Sequence, residues 1–269
     1  MGWRLLARRG PGTLYRRAKS LEYLVTRDRG AIREFLAAEL PMSRARRIAL
    51  LARMTAITNA VRGYHTLGEI LAVIREILIR SGRRDLTVIE AGCAHGSSTA
   101  KLSLAVRAAG GHLHVFDSFR GIPPNDERHT QLDGRPAVFR PGAFRARLRA
   151  VERTLDRHGA PEVVTLHKGW LAETLPAFLA GRPERAVDVV LLDVDLVAST
   201  RTCVRELFPR LRRDGVMISL DGQLRATHAL LGDRRFWTED VGVAMPVIEG
   251  LGTGKLLVIR PFGGIHSEM

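Results

Sequence analysis

From residue 86 onward the chain alternates short apolar, β-branched runs with amphipathic stretches: LTVIEAG, SSTAKLSLAVRAA, HLHVFDSF, a loop with a helical stretch, EVVTLHKGW, DVVLLDVDL, GVMISLD and KLLVIRP. Few architectures accept that order. Strands joined by helical crossovers form βαβ units, and right-handed crossovers place helices on both faces of a twisted, mainly parallel sheet. Ligands of such sheets bind at the carboxyl ends of the strands. Upstream, residues 30–80 read as helix, because Leu67, Ile70, Leu71, Ile74 and Leu78 recur three and four apart and Pro41 separates two helical stretches. The expectation is an α/β chain with a basic helical extension over residues 1–80 and a ligand-binding domain over 81–269.

Local punctuation refines this. Ser97 or Ser98 is positioned to cap the helix after the first strand, and Gly110-Gly111 to end it. Ser199 or Thr200 is expected to open a helix through RTCVRELFPRLRR, with Pro209 kinking or splitting it and Asp214-Gly215 turning into the next strand.

The formal net charge of +14 needs locating before it is read as a nucleic-acid signature. Only four of the 42 basic residues are lysines, and residues 1–50 hold 12 basic against four acidic side chains, so the excess is an arginine bias concentrated in the extension. Such an arm either solvates itself or meets an anionic partner; the solvated arm is expected. Its arginines lie beside Trp3, Leu5, Leu6 and Leu14, the pattern a peripheral membrane contact would use. No run approaches ~18 apolar residues, and the basic start has no apolar stretch behind it, so a cytoplasmic protein is expected. Cys93 and Cys203 cannot build a disulfide framework or a cysteine-rich zinc site.

The most informative stretch is VIEAGCAHGSSTAKLSL, a strand running through Glu90-x-Gly92-x-x-x-Gly96 into a helix. Glycines at 92 and 96 let the backbone turn and approach a ligand, while the Ser97 and Ser98 amides lie at a partly positive helix start. The loop lacks the glycine spacing of dinucleotide folds and the lysine of a P-loop, which leaves a nucleoside or an amino-acid carboxylate. Asp117 ends the second strand 25 residues beyond Gly92, where a carboxylate can accept from both hydroxyls of a ribose. Blander roles stay open: Asp117 as a turn cap, Glu90 as the partner of an arginine, and Trp170 as a core residue.

Together with this loop, the segments FDSFRGIPP, HKGWLAETLP, LLDVDLVASTRTCVRELFPRLRRDGV and ISLDGQ resemble, in order and spacing, the macrocin O-methyltransferase family of S-adenosylmethionine-dependent enzymes from bacterial natural-product biosynthesis. The likeness covers roughly residues 60–260. It implies a Rossmann-like class I methyltransferase fold with a mainly parallel seven-stranded sheet. It also implies that Glu90, Gly92, Gly96 and Ser97 line the amino-acid end of S-adenosylmethionine, that Asp117 takes the ribose, that Ser118 lies beside the adenosine, and that Gly169 and Trp170 border the adenine.

The resemblance further implies Mg2+ held by an aspartate cluster, assisted by a histidine. Asp193 matches the first ligand, and the family's Asp-Asp pair falls on Leu220-Asp221, so one ligand has become leucine. Asp193 and Asp221 can still suffice, since magnesium is commonly held by one or two carboxylates plus water or substrate; Asp195 is a substitute ligand or a helix cap. His129, in the loop after GIPPNDER, is the candidate base, with Asp193 as its catalytic companion. Tyr64-His65 is placed to close over the cofactor or simply to pack.

The leading expectation is an O-methyltransferase acting on a small hydroxylated acceptor, a sugar or an aglycone. The alternatives are an RNA methyltransferase using the basic arm, disfavoured by the lack of an aromatic-rich basic stretch, and a cofactor-binding scaffold without catalysis. The helical N-terminal region could pair between subunits to give a homo-oligomer.

Overall fold

The structure is a computed structural model that describes residues 28–182 and 186–261. The basic segment before Asp28, with Trp3, Leu5, Leu6 and Leu14, lies outside the described residues, and the membrane and RNA expectations attached to it lie there too.

Three helices come first, α1 (Arg29–Ala37), α2 (Arg44–Ala60) and α3 (Leu67–Ile79). Then follow β1 (Thr87–Ala91), α4 (Ser97–Ala109), β2 (His112–Asp117), and a covering segment, 118–147, that contains the two-residue strands β3 (His129–Thr130) and β4 (Pro136–Ala137). The rest alternates: α5 (Leu148–His158), β5 (Val164–Lys168), α6 (Leu171–Leu179), β6 (Val187–Leu192), α7 (Val197–Leu207), β7 (Leu211–Ser219), α8 (Arg225–Gly232), β8 (Val247–Glu249) and β9 (Leu257–Arg260). The sheet order is β5-β2-β1-β6-β7-β9-β8; β9 runs antiparallel to both neighbours, and the other pairs are parallel. β1 and β6 are buried along their whole length, as interior strands of a sheet covered on both faces must be. This is the seven-stranded Rossmann-like arrangement expected.

One face is packed by α2, α3 and α4, through Met54, Ile57, Ile70, Ile74, Ile77 and Leu102; the other by α6, α7 and α8, through Leu175, Cys203, Val204, Leu207 and Leu231. The N-terminal helices are therefore a layer of the same core. α3 starts on a capping box formed by Thr66 and Glu69, and the buried Asp28 carboxylate also accepts from the Leu67 and Gly68 amides. Both cysteines are buried and free. Among the described residues no helix is long and apolar enough to cross a membrane.

Three local expectations need correction. α4 is N-capped by Gly96 in the left-handed region (φ 77°), and neither Ser97 nor Ser98 caps it; both are the first residues of the helix itself. α7 opens at Val197, two residues before Ser199, behind a leucine that has no side chain to offer. Asp214-Gly215 lies inside β7, where the register jumps from Val187–Leu211 to Val189–Val216. Arg83 holds that bulge by bonding both the buried Asp188 and Asp214. Pro209 does end α7, in a short 3-10 turn, Phe208–Arg210.

At the β2–β5 edge three histidines share one face. His114 Nδ1 lies 3.1 Å from His167 Nε2, the His167 ring stacks on Phe116 at 4.3 Å, and the Arg182 guanidinium sits 4.0 Å from the Phe178 ring above them. Burial, and then the charges of His112, Arg182 and His167, push His114 down to about 3. The unfolded chain takes up that proton near pH 6.5, so the contribution of neutral His114 is fully present above about 6.5 and is lost as pH falls toward 3. Urea midpoints should therefore fall between pH 7.5 and pH 5, and His114→Asn should fall less; identical pH dependence in the two proteins refutes the assignment.

Candidate active site

The strand ends β1, β2 and β6 and the turns leaving them form one side of a cavity of about 300 Å³. Gly92, Asp117, Ser118, Gly169, Trp170 and Asp193 all line it, and so do Asp195 and Tyr64. Glu90, Gly96, Ser97, Asp221 and His129 are not among its lining residues.

The cofactor-loop half is organised around Asp117. Its Oδ2 accepts from the Cys93 amide at 2.9 Å and the Ala94 amide at 3.2 Å, and its Oδ1 from the Phe119 amide at 2.7 Å. The end of β2 thus fixes the glycine turn after β1; three of the carboxylate's four acceptor positions are taken by amides, and Oδ1 keeps one. Gly92 has φ 84°, and a Cβ there would collide with the Asp193 carbonyl oxygen, so the turn passes directly against the end of β6. Behind it, Glu90 is completely buried, with the Ser98 and Thr99 hydroxyls beside its carboxyl. Burial pushes that carboxyl up to about 8, opposed by the two hydroxyls and aided by the charges of Asp193 and Asp117. Ser97 carries a buried, unpartnered hydroxyl, pressed against Gly63, where a Cβ would come within 2.9 Å of its Oγ. The Ser118 hydroxyl is occupied in its own turn, accepting from the Arg120 amide and donating to the Gly121 carbonyl. Trp170 is half-buried on the cavity wall at the start of α6.

The opposite half carries three carboxyls. Asp221 Oδ2 accepts from the Val194 and Asp195 amides at 3.0 and 3.2 Å, while its Oδ1 is buried without a partner. Asp195 adopts φ 63°, unusual for a side-chain-bearing residue. Burial raises the affinity of Asp193, Asp195 and Asp221 for protons, and Asp221's charge raises the first two further, against the nearby Lys255 ammonium. An oxygen-only donor set with excess negative charge and an orphaned buried oxygen fits a hard divalent cation. No group of three or more His, Cys, Asp or Glu side chains is arranged around a common metal position among the described residues. Two carboxylates are what these residues could supply, the remaining positions falling to water and substrate. Leu220, at the family's second ligand position, is 1% exposed and packs in the core.

His129 does not reach the cavity. Its ring is buried on β3, edge-on to Phe139 at 5.4 Å, with Nε2 3.1 Å from Glu127. As placed, it is a packed residue of the covering segment. The covering segment itself is pinched at its base: Ile122 N donates to Ala143 O and Gly142 N to Ile122 O, and a Cβ on Gly121 would strike the Ala143 carbonyl. This delivers Ile122, Pro123 and Phe144 to the cavity wall, where Phe144 meets Tyr64 edge-on at 4.7 Å. None of these three wall residues is visible in the sequence, since they come from a segment with no periodicity; Tyr64 is anticipated only as a residue that could close the site.

A family model described as a methyltransferase domain matches residues 89–221, from the middle of β1 to the end of β7. The chain is 28% identical over 203 residues, 74% of each protein, to the 8-demethyl-8-(2,3-dimethoxy-alpha-L-rhamnosyl)-tetracenomycin-C 4'-O-methyltransferase of Streptomyces olivaceus. Among solved structures, a calicheamicin methyltransferase superposes with a TM-score of 0.55 at 17% identity, covering 97% of this chain and 98% of that one. The O-methyltransferase NovP superposes with a TM-score of 0.52 at 18% identity, covering 93% and 97%. At those identities the two structures speak for the fold.

Proposed function

We propose that this chain, an S-adenosylmethionine-dependent O-methyltransferase, methylates a sugar hydroxyl of a glycosylated natural product, with Mg2+ assisting. The observation that carries this reading is the single cavity that Asp117 and Asp193 share from opposite sides. In this reading the adenosine lies between Asp117 and Trp170, with a ribose hydroxyl donating to Asp117 Oδ1 and its base beside the indole. The methionine end follows the Gly92 turn toward the start of α4. The sulfonium methyl then faces the Asp193–Asp195 side, where the acceptor oxygen must be aligned behind it.

Methyl transfer forms the oxygen–methyl bond as the sulfur–methyl bond breaks, and the hydroxyl proton has to leave. Asp195 lines the cavity and takes that proton at its carboxylate; Asp193 and Asp221 would hold the magnesium ion, which supplies Lewis-acid polarisation of the acceptor oxygen. A sugar suits the walls, because Tyr64, Phe144, Ile122 and Pro123 offer an apolar face while Asp195, Ser199 and Thr202 offer polar groups to hydroxyls. The rhamnosyl substrate in the name of the Streptomyces olivaceus relative agrees with this choice.

The test is transfer of labelled methyl from S-adenosylmethionine to methyl α-L-rhamnopyranoside and to rhamnosylated polyketides, with and without EDTA. Labelled O-methyl product is expected, falling at least tenfold in EDTA and returning with added Mg2+. Tight cofactor binding without transfer to any rhamnoside overturns the acceptor, and EDTA-insensitive turnover overturns the metal.

A further inference from the structure

α7 begins without a cap of its own, since Leu196 at the N-cap has no acceptor in its side chain. Its first amides are nevertheless satisfied. Val197 N donates to Glu127 Oε2 at 2.8 Å and Ala198 N donates to Glu127 Oε1 at 3.0 Å, across 70 residues of sequence, from the covering segment. His129 Nε2 lies 3.1 Å from Glu127 Oε2 without hydrogen-bond geometry. The turn 193–198 is thereby held between two carboxylates, Asp221 through the Val194 and Asp195 amides, and Glu127 through the Val197 and Ala198 amides.

This connection joins two walls of the cavity. Ile122 and Pro123 stand a few residues before Glu127, while Asp193, Val194, Asp195, Ala198, Ser199 and Thr202 belong to the turn and helix it grips. The hairpin beyond it is anchored elsewhere, by Leu132 N to Gln223 O and by Arg225 to the Gln131 and Leu132 carbonyls, on residues that do not line the cavity. The Gly92–Asp117 half has no bond to Glu127.

We propose that Glu127 is a positioning residue that latches the covering segment onto the start of α7, setting the width of the acceptor slot without touching the cofactor half. A carboxylate is suited to this task, because it accepts two amides at once and carries negative charge at the positive end of a helix.

The acceptor part of this inference rests on the function proposed above, so the test includes readouts that need no acceptor. In Glu127→Ala, amide hydrogen exchange should rise together in 196–202 and 120–130, while the Kd for S-adenosylhomocysteine by calorimetry stays within twofold of wild type. With methyl α-L-rhamnopyranoside as the probe, KM should rise at least tenfold. Glu127→Gln keeps one acceptor oxygen but sets its NH2 against the other amide, so both changes should appear in it at intermediate size. Faster exchange confined to 120–130, or a tenfold loss of S-adenosylhomocysteine affinity, overturns the latch. Should Glu127→Ala fail to fold, Glu127→Gln carries the same measurements. If wild type turns over no rhamnoside, the acceptor reading fails, while exchange and cofactor affinity still decide the latch.

Discussion

Asp117→Ala should abolish measurable S-adenosylmethionine binding while leaving a folded protein. Two effects combine. The ribose loses its charged acceptor, and the one charge-assisted hydrogen bond that Oδ1 can still accept, ~1.5–3 kcal/mol, corresponds to roughly a ten- to hundredfold loss in affinity. The Cys93, Ala94 and Phe119 amides also lose the oxygens that hold the glycine turn in shape. Asp117→Asn separates the two effects, because the side-chain amide keeps the size and one acceptor but loses the charge; it should bind with affinity between wild type and alanine. Isothermal titration of the three proteins checks the order. Wild-type affinity in Asp117→Ala would remove the ribose from this position.

The largest loss of stability is expected from Gly92→Ala. A left-handed backbone at φ 84° strains any residue with a Cβ, at ~1–3 kcal/mol. The added methyl must also displace the Asp193 carbonyl, which belongs to the backbone leaving a central strand and cannot swing aside as a side chain would; overpacking of this kind costs ~1–3 kcal/mol more. A total of ~2–6 kcal/mol should appear as a lower urea midpoint at unchanged slope. Gly134→Ala is the control: it shares a positive φ of 87° but has open space around its Cβ, so only the strain remains. Equal losses in the two variants would mean that the close approach to Asp193 costs nothing.

The parts of this molecule that were legible in its sequence are those whose signal is local. Gly92 and Asp117 sit at strand-to-turn junctions, where apolar runs stop and cavity-lining residues begin, and Asp193 follows its own strand in the same way. The Rossmann-like order follows from the alternation of runs, which short-range hydrophobic patterning reports well. The errors share a different cause. Ser199 looks like the opening of α7, yet the helix starts earlier because its cap comes from Glu127, 70 residues away. His129 looks like a cavity residue because loops at strand ends often are, yet the segment folds back and buries it. Asp214-Gly215 looks like a turn, but Arg83, from the stretch before β1, bonds both Asp188 and Asp214 and holds the segment as a bulge inside β7. Tyr64 and Phe144 meet only in three dimensions. In each case the deciding partner is distant in sequence, where periodicity and propensity carry no information.

The pinch between Ile122 and Ala143 has a practical consequence. A stretch of some twenty residues leaves and re-enters the framework through one narrow gate, stitched by two backbone bonds that do not depend on what lies between them. Anything grafted between those points begins and ends in register with the sheet, whatever its length. Exchange of this cassette among related enzymes should redirect which molecule is modified while the donor half of the pocket is inherited intact, provided the incoming piece brings its own carboxylate to meet Val197 and Ala198.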